Sequence, residues 1–266
     1  MKPVLLGILN ITEDSFSDGG KFLDPGAALA QACALVGDAD AIDLGAASSK
    51  PDAIAVSPEI EIARLKPVVE LLKRENAAIS VDTFAPEVQR WALAQGVDYL
   101  NDVRGFPDEG LYPELAASNA KLIAMFSVEG LGPATRLHVP AEELFGRICA
   151  FFEHRIGALT AAGIARERIV LDPGMGLFLG SHPDASFAVL RRIADLKRAF
   201  SLPVLISVSR KSFLRRLVDR GVAEIGPATL GAELYAVRQG ADYVRTHDPR
   251  ALKDLLRVLE TLGDKA

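Results

Sequence analysis

Eight short apolar runs punctuate the chain, at about residues 4–9, 40–44, 78–81, 98–100, 121–125, 168–171, 203–208 and 241–244. Segments with helical hydrophobic spacing separate most of them. After Asp248-Pro249, residues Leu252, Leu255, Leu256 and Leu259 form one stripe. Asp248 suits its cap and Pro249 its first turn. Near 141–162, Leu144, Ile148, Phe151, Phe152 and Leu159 repeat the pattern, and Gly163 closes it. Ser57-Pro58 and Ala85-Pro86 open two more helices. Strand and helix in alternation predict a parallel sheet. Eight such units in 266 residues favour an α/β fold of the closed (β/α)8 type, a TIM barrel, as one domain over 1–266. An open, doubly wound sheet is the alternative on pattern alone. Gly174, Gly176 and Gly180 miss the dinucleotide fingerprint by one residue and lie late in the chain.

Composition narrows the class. Hydrophobic residues make up 49% and charged residues 24%, enough for a sizeable core in a soluble protein. The net charge of -5 disfavours nonspecific nucleic-acid binding. The first apolar run is too short for a signal peptide's core with its cleavage site, and no run is long enough to span a membrane. A cytoplasmic location is expected. Cys33 and Cys149 lack metal-ligand spacing and are expected to be small buried hydrophobes in a reducing compartment.

A barrel of this kind carries its site at the C-terminal ends of the strands. Those ends read Asn10, Asp43, Asp82, Asn101-Asp102, Met125, Asp172, Ser209-Arg210-Lys211, and Arg245 with His247. Carboxylates and amides suit a flat heterocycle with N–H donors and acceptors, because one carboxylate can accept two N–H bonds. Lys211, Arg245 and His247 suit an anion, and the loops after strands 7 and 8 are the usual phosphate site. Asn10 offers a neutral oxygen to a hard cation such as Mg²⁺. Bland readings stand beside these. Asp43 and Asp102 suit loop caps or backbone contacts. Arg210 suits a pairing with a carboxylate, and His138, His154 and His182 suit the surface. Asp172-Pro173-Gly174-Met175-Gly176 is the most telling segment, a carboxylate at a strand's end followed by a turn that brings backbone close to a ligand.

These segments resemble dihydropteroate synthase over nearly the whole chain. The resemblance runs from Gly7-Ile8-Leu9-Asn10-Ile11-Thr12 and Asp14-Ser15-Phe16-Ser17-Asp18-Gly19-Gly20 through Asp43-Leu44-Gly45, Val81-Asp82-Thr83 and Asn101-Asp102-Val103. It continues at Asp172-Pro173-Gly174 and Ser207-Val208-Ser209-Arg210-Lys211-Ser212-Phe213, and ends at Val244-Arg245-Thr246-His247-Asp248. The resemblance implies a transferase that condenses 6-hydroxymethyl-7,8-dihydropterin pyrophosphate with p-aminobenzoate, with Mg²⁺ as cofactor. It implies that Asp82, Asn101, Met125, Asp172 and Lys211 hold the pterin. Asn10, Arg245 and His247 would bind the pyrophosphate, with Asn10 at the metal. Phe16 and Asp18 in a first loop, and Ser48, Ser49, Lys50 and Pro51 in a second, would close over p-aminobenzoate, whose carboxylate would meet Ser209. Asp82, Asp172, Lys211, Arg245 and His247 would be the catalytic set. The partners implied are small-molecule substrates and a second copy of the chain in a homodimer, with neither nucleic acid nor membrane.

The chain departs from housekeeping members of that family. Ser49-Lys50 replaces Thr-Arg, which keeps the charge but loses the planar fork. Phe126 stands where a histidine is usual and is expected to repack the pocket wall. After Asp172-Pro173-Gly174 the loop is longer and reads Leu177-Phe178-Leu179-Gly180. With Ala47-Ser48-Ser49 and Arg104-Gly105-Phe106-Pro107, this is similar to the sulfonamide-insensitive synthases of mobile elements. Phe178 would then fill the space a sulfonamide's distal group needs, or would only pack the loop. Two other functions fit the pterin-gripping residues, a corrinoid-dependent methyltetrahydrofolate methyltransferase and a non-catalytic pterin-binding protein. The methyltransferase would not need the pyrophosphate cations, and a pure binder would not need the first loop.

Overall fold

A computed structural model describes residues 2–12, 24–49, 55–129 and 139–263. The first half runs β1 (Val4–Asn10), α1 (Pro25–Leu35), β2 (Ala41–Gly45), α2 (Pro58–Arg74), β3 (Ile79–Asp82), α3 (Pro86–Ala94), β4 (Tyr99–Asp102), α4 (Tyr112–Ala117) and β5 (Lys121–Met125). The second half runs α5 (Ala141–Ala161), β6 (Ile169–Asp172), α6 (Pro183–Leu190), α7 (Ile193–Phe200), β7 (Leu205–Ile206), α8 (Ser212–Val218), α9 (Gly226–Arg238), β8 (Tyr243–Thr246) and α10 (Pro249–Thr261). Every strand pairing is parallel, in the order β6-β5-β4-β3-β2-β1-β8-β7. One bridge between Leu171 and Val204, with Leu171 N donating to the Pro203 carbonyl at 2.9 Å, brings β6 to β7 and closes the ring. The TIM barrel read from the strand–helix alternation is the observed architecture.

All eight apolar runs form strands, but β7 covers only two residues of its 203–208 run. Pro203 has no N–H to give a ladder, and the chain turns away at Arg210, whose φ is +58°. The helices start where local chemistry places them. Asp248 Oδ1 accepts the Ala251 amide at 3.0 Å, and Ser57 and Asp24 cap α2 and α1.

Two hydrophobic layers follow from the strands' period of two. Leu6, Ala41, Ile123, Val170, Leu205 and Tyr243 point inward and plug the lower barrel. Tyr243 is braced there by Lys121 Nζ at 3.0 Å and by the Tyr99 ring. The alternate residues, among them Leu9, Ile42, Leu44, Val81, Leu100 and Leu171, pack outward against the helices. Apart from Ile8 and Met125, the inward side chains above the plug are polar, which leaves the mouth for chemistry. The cysteines depart from expectation: Cys33 is exposed and Cys149 is only half-buried. Cys33 lies off the α1 stripe of Ala28, Ala32 and Leu35 that meets the core. No helix among the described residues is long and apolar enough to cross a membrane.

Candidate active site

A cavity opens at the C-terminal ends of the strands, and the polar strand ends converge on it. Asn10 comes from β1, Asp82 from β3, Asn101 from β4, Met125 from β5 and Asp172 from β6. Ser209 and Lys211 follow β7, Arg245 lies on β8, and His247 stands one residue beyond it.

The carboxylate of Asp172 is fixed by its own turn. Oδ1 accepts the Gly174 amide at 2.8 Å. Gly174 has φ +73°, and a Cβ there would lie 2.4 Å from the Phe126 carbonyl oxygen. Backbone packs where any side chain would collide, so only glycine serves. Burial pushes the Asp172 carboxyl up to about 6, against the pull of the Gly174 amide and of Lys211. Asn101 lies across the cavity, buried, with its side-chain oxygen unpaired among the described residues. A buried acceptor left open in a cavity calls for a ligand.

Arg245 is the electrostatic hub. Its Nε donates to Asp43 Oδ2 and its Nη2 to Asp82 Oδ2, the latter at 2.7 Å. Burial opposes its charge, but Asp43 and Asp82 outweigh that and hold its pKa up. Asp82 is raised to about 7 by burial, although Arg245 works the other way. Lys211 is lowered to about 8 by burial and then by Arg245. His247 is held well below its ordinary value by burial and by Arg210, Arg245 and Lys211, so its ring is neutral at pH 7.

Several expectations change in detail. Asp43 lies below the mouth, tethering Arg245 and accepting from the Ser80 hydroxyl. Asp102 faces out of the barrel. It accepts from the amides of Arg104 at 2.7 Å and Phe106 at 3.0 Å and from Gln89 Nε2 at 3.0 Å, which is the loop-capping reading. Phe126 does not line the cavity. Its neighbour Met125 takes the inward position, so Phe126 points outward and meets the Phe151 ring edge-on at 5.5 Å. Ser209 lines the cavity, but its Oγ accepts the His247 amide at 3.1 Å and meets His247 Nδ1 at 2.9 Å. The Ser209 hydroxyl is thus engaged by His247 at the cavity wall. Ser48 and Ser49 reach the cavity wall. Phe16, Asp18, Lys50 and Pro51 lie outside the described residues.

Phe178 sits in a short 3-10 turn, Gly176–Leu179, and packs on Val103 and Met125 at the cavity edge. Lys211 Nζ lies 5.1 Å from its ring centroid. Ser207, Ser212 and Arg215 also line the cavity; the first two fall in the Ser207–Phe213 run without a role of their own, and Arg215 lies beyond it. The facing of the first turn of α8 toward the mouth follows from the turn at Arg210, whose φ is +58°.

The chain matches the family described as pterin binding enzyme over residues 6–247. It is 55% identical over 264 residues to the dihydropteroate synthase type-2 of Escherichia coli, covering 99% of this chain and 97% of that protein. It is 51% identical over 260 residues to the type-3 enzyme of Escherichia coli, covering 97% of this chain and 99% of that protein. Among solved structures, it is similar to the Yersinia pestis dihydropteroate synthase in complex with a sulfonamide drug. That match has a TM-score of 0.90 and 31% identity over 98% of this chain and 94% of that one. The Xanthomonas albilineans enzyme with 4-aminobenzoic acid gives a TM-score of 0.88 and 32% identity over 100% of this chain and 94% of that one.

Proposed function

Because the chain belongs to the dihydropteroate synthases, within the pterin-binding enzymes, we propose a division of labour in which the middle strands hold the pterin and the last two hold the pyrophosphate. The activity is a transferase's, joining 6-hydroxymethyl-7,8-dihydropterin pyrophosphate to p-aminobenzoate to give 7,8-dihydropteroate and pyrophosphate. The observation that carries the division is the pair Asp172 and Asn101, a buried carboxylate and an unpaired buried amide facing one cavity. Together they match the donors and acceptors of a pterin edge. Met125 supplies an apolar wall and Lys211 a buried donor.

Bond cleavage places positive charge on the pterin methylene and negative charge on the leaving pyrophosphate. Asp82 and Asp172 stabilise the first, and Arg245 and neutral His247 donate to the second. The aryl amine is already nucleophilic and uncharged at pH 7, so it needs position more than a base. With Ser209 engaged on His247, the carboxylate of p-aminobenzoate falls to Ser212, on the same cavity wall.

Asn10 suits Mg²⁺. The missing Cβ of Gly45 leaves room beside its Oδ1, which lies 3.1 Å from where that atom would stand. Among the described residues no cluster of three acidic, His or Cys ligands competes. A single amide oxygen fits an ion that keeps most of its waters and binds phosphate oxygens. When bound, Mg²⁺ supplies charge neutralisation at the leaving group.

Sulfonamide insensitivity belongs to the same reading. Phe178 lies at the cavity edge, and an aromatic there discriminates by clash against a bulky sulfonyl substituent. A homodimer is supported by exposed Leu217 and Val218 on α8, Tyr235 on α9 and Val258 on α10, since those helices lie side by side. The free thiols of Cys33 and Cys149 support a reducing, cytoplasmic setting. Dihydropteroate formation measured across a sulfamethoxazole titration tests the reading. Turnover that persists at drug levels saturating a housekeeping enzyme is expected. Turnover that stops would retain the synthase and remove the role of Phe178.

A further inference from the structure

Behind β7 and β8 lies a second cavity of about 440 Å³, which shares Ser209 and Arg210 with the first. Glu233 of α9 lines it. The residue is fully enclosed, and neither carboxyl oxygen has a hydrogen-bond partner among the described residues. An enclosed carboxyl without a direct partner needs a physical reason. Thr246 lines the same cavity. Thr246 Oγ1 in turn accepts the Asp248 amide at 3.2 Å and lies 3.5 Å from Ser209 Oγ. Ser209 Oγ accepts the His247 amide and lies 2.9 Å from His247 Nδ1.

We propose that Glu233 is a positioning residue that fixes the tautomer of His247 through Thr246 and Ser209, so that the ring offers Nε2–H to the pyrophosphate of the substrate. The direction of the chain follows from counting protons. A protonated Glu233 donates to Thr246 Oγ1 through one water in the cavity. Thr246 then gives its own proton to Ser209 Oγ. Ser209 already accepts the His247 amide, so its proton goes to Nδ1, and the imidazole proton is left on Nε2. Without a donor at position 233 the chain can reverse. Ser209 then donates to Thr246, Nδ1 carries the proton, and Nε2 becomes an acceptor that repels an anion. Burial holds the Glu233 carboxyl up to about 8, which keeps it a donor at pH 7. A neutral histidine has one N–H to give, so which nitrogen carries it matters.

The inference rests on the reading that places His247 at the pyrophosphate, and the two are tested separately. The ¹⁵N shifts of the histidine ring nitrogens report the tautomer, with His247→Gln assigning the signal among the four histidines. Wild type and Glu233→Gln, whose amide also donates, should carry the proton on Nε2. Glu233→Leu should move it wholly or partly to Nδ1. The KM for the pterin pyrophosphate should rise about tenfold in Glu233→Leu and less than about threefold in Glu233→Gln, with the KM for p-aminobenzoate unchanged. A His247 ring that keeps Nε2–H in Glu233→Leu overturns the proposal. Should that variant fail to fold, Thr246→Val carries the same expectation, and an unchanged ring there overturns it equally. If His247→Gln leaves the pterin pyrophosphate KM unaltered, the pyrophosphate reading fails while the tautomer still decides the role of Glu233.

Discussion

Arg245 Nη2 donates to Asp82 Oδ2 at 2.7 Å, joining β8 to β3 across the barrel interior. Asp43 on β2 holds Nε of the same guanidinium. The cation at the mouth is therefore aimed by two carboxylates on two other strands. Asp43→Asn should leave Arg245 underpaired in a buried setting and cost about 3–5 kcal/mol of stability in chemical denaturation. Arg245→Lys should not recover wild-type turnover, because lysine cannot bond both acids with a planar fork. Wild-type stability in Asp43→Asn would remove the tether.

The Asp172 carboxyl sits at about 6 in the folded protein against an ordinary 3.8. Between those values the folded state holds a proton that the unfolded chain has released. Stability of the ligand-free enzyme contributed by this group is thus present below about pH 4 and lost as pH rises through about 6, a change of about 3 kcal/mol. Asp172→Asn removes that loss. It should raise the Tm of the ligand-free protein at pH 7.5 and flatten its pH dependence in calorimetry, while weakening pterin binding about a hundredfold. A variant that melts below wild type at pH 7.5 would show the carboxylate to be stabilising instead.

Gly174→Ala places a methyl group against the Phe126 carbonyl in a backbone with φ +73°. The turn must open, and the Gly174 amide then withdraws from Asp172. Loss of more than about 2 kcal/mol in urea denaturation, together with lost pterin affinity, is expected. Wild-type affinity in this variant would separate the turn from the ligand.

Phe178→Ala should lower the inhibition constant of sulfamethoxazole about tenfold or more, with a smaller change in the KM for p-aminobenzoate. The residue packs on Val103 and Met125, so some stability is lost as well. Steady-state inhibition assays on protein shown to be folded distinguish the two effects. Equal loss of drug and substrate affinity would mean that the ring only packs the loop.

The barrel was legible because parallel strands buried on both faces read as plain apolar runs. The site was legible because such a barrel gathers its strand ends at one mouth. The side of the strand was harder to read. Asn101 and Asp102 are adjacent, yet one faces the cavity and the other caps a loop outside, and Met125 and Phe126 divide in the same way. Glu233 was invisible. Among Leu230, Leu234 and Val237 a glutamate reads as a solvated helix position, and only the packing of α9 over the ends of β7 and β8 encloses it. The exposure of Cys33 was missed for a related reason, since α1 is apolar nearly all round and gives little sign of which side meets the barrel.

The wall of the barrel is uneven. β1 shares five register pairs with β2, while β6 meets β7 through the one bridge at Leu171 and Val204. Asp172 leaves one side of that joint, and Ser209 and Lys211 leave the other. Whatever lies between them acts as a hoop around a cask whose staves are loosest at that joint. Seating the ligand thus finishes a cylinder that the backbone alone leaves thinly sealed, and the Leu171 amide should exchange its hydrogen more slowly once the pocket is full.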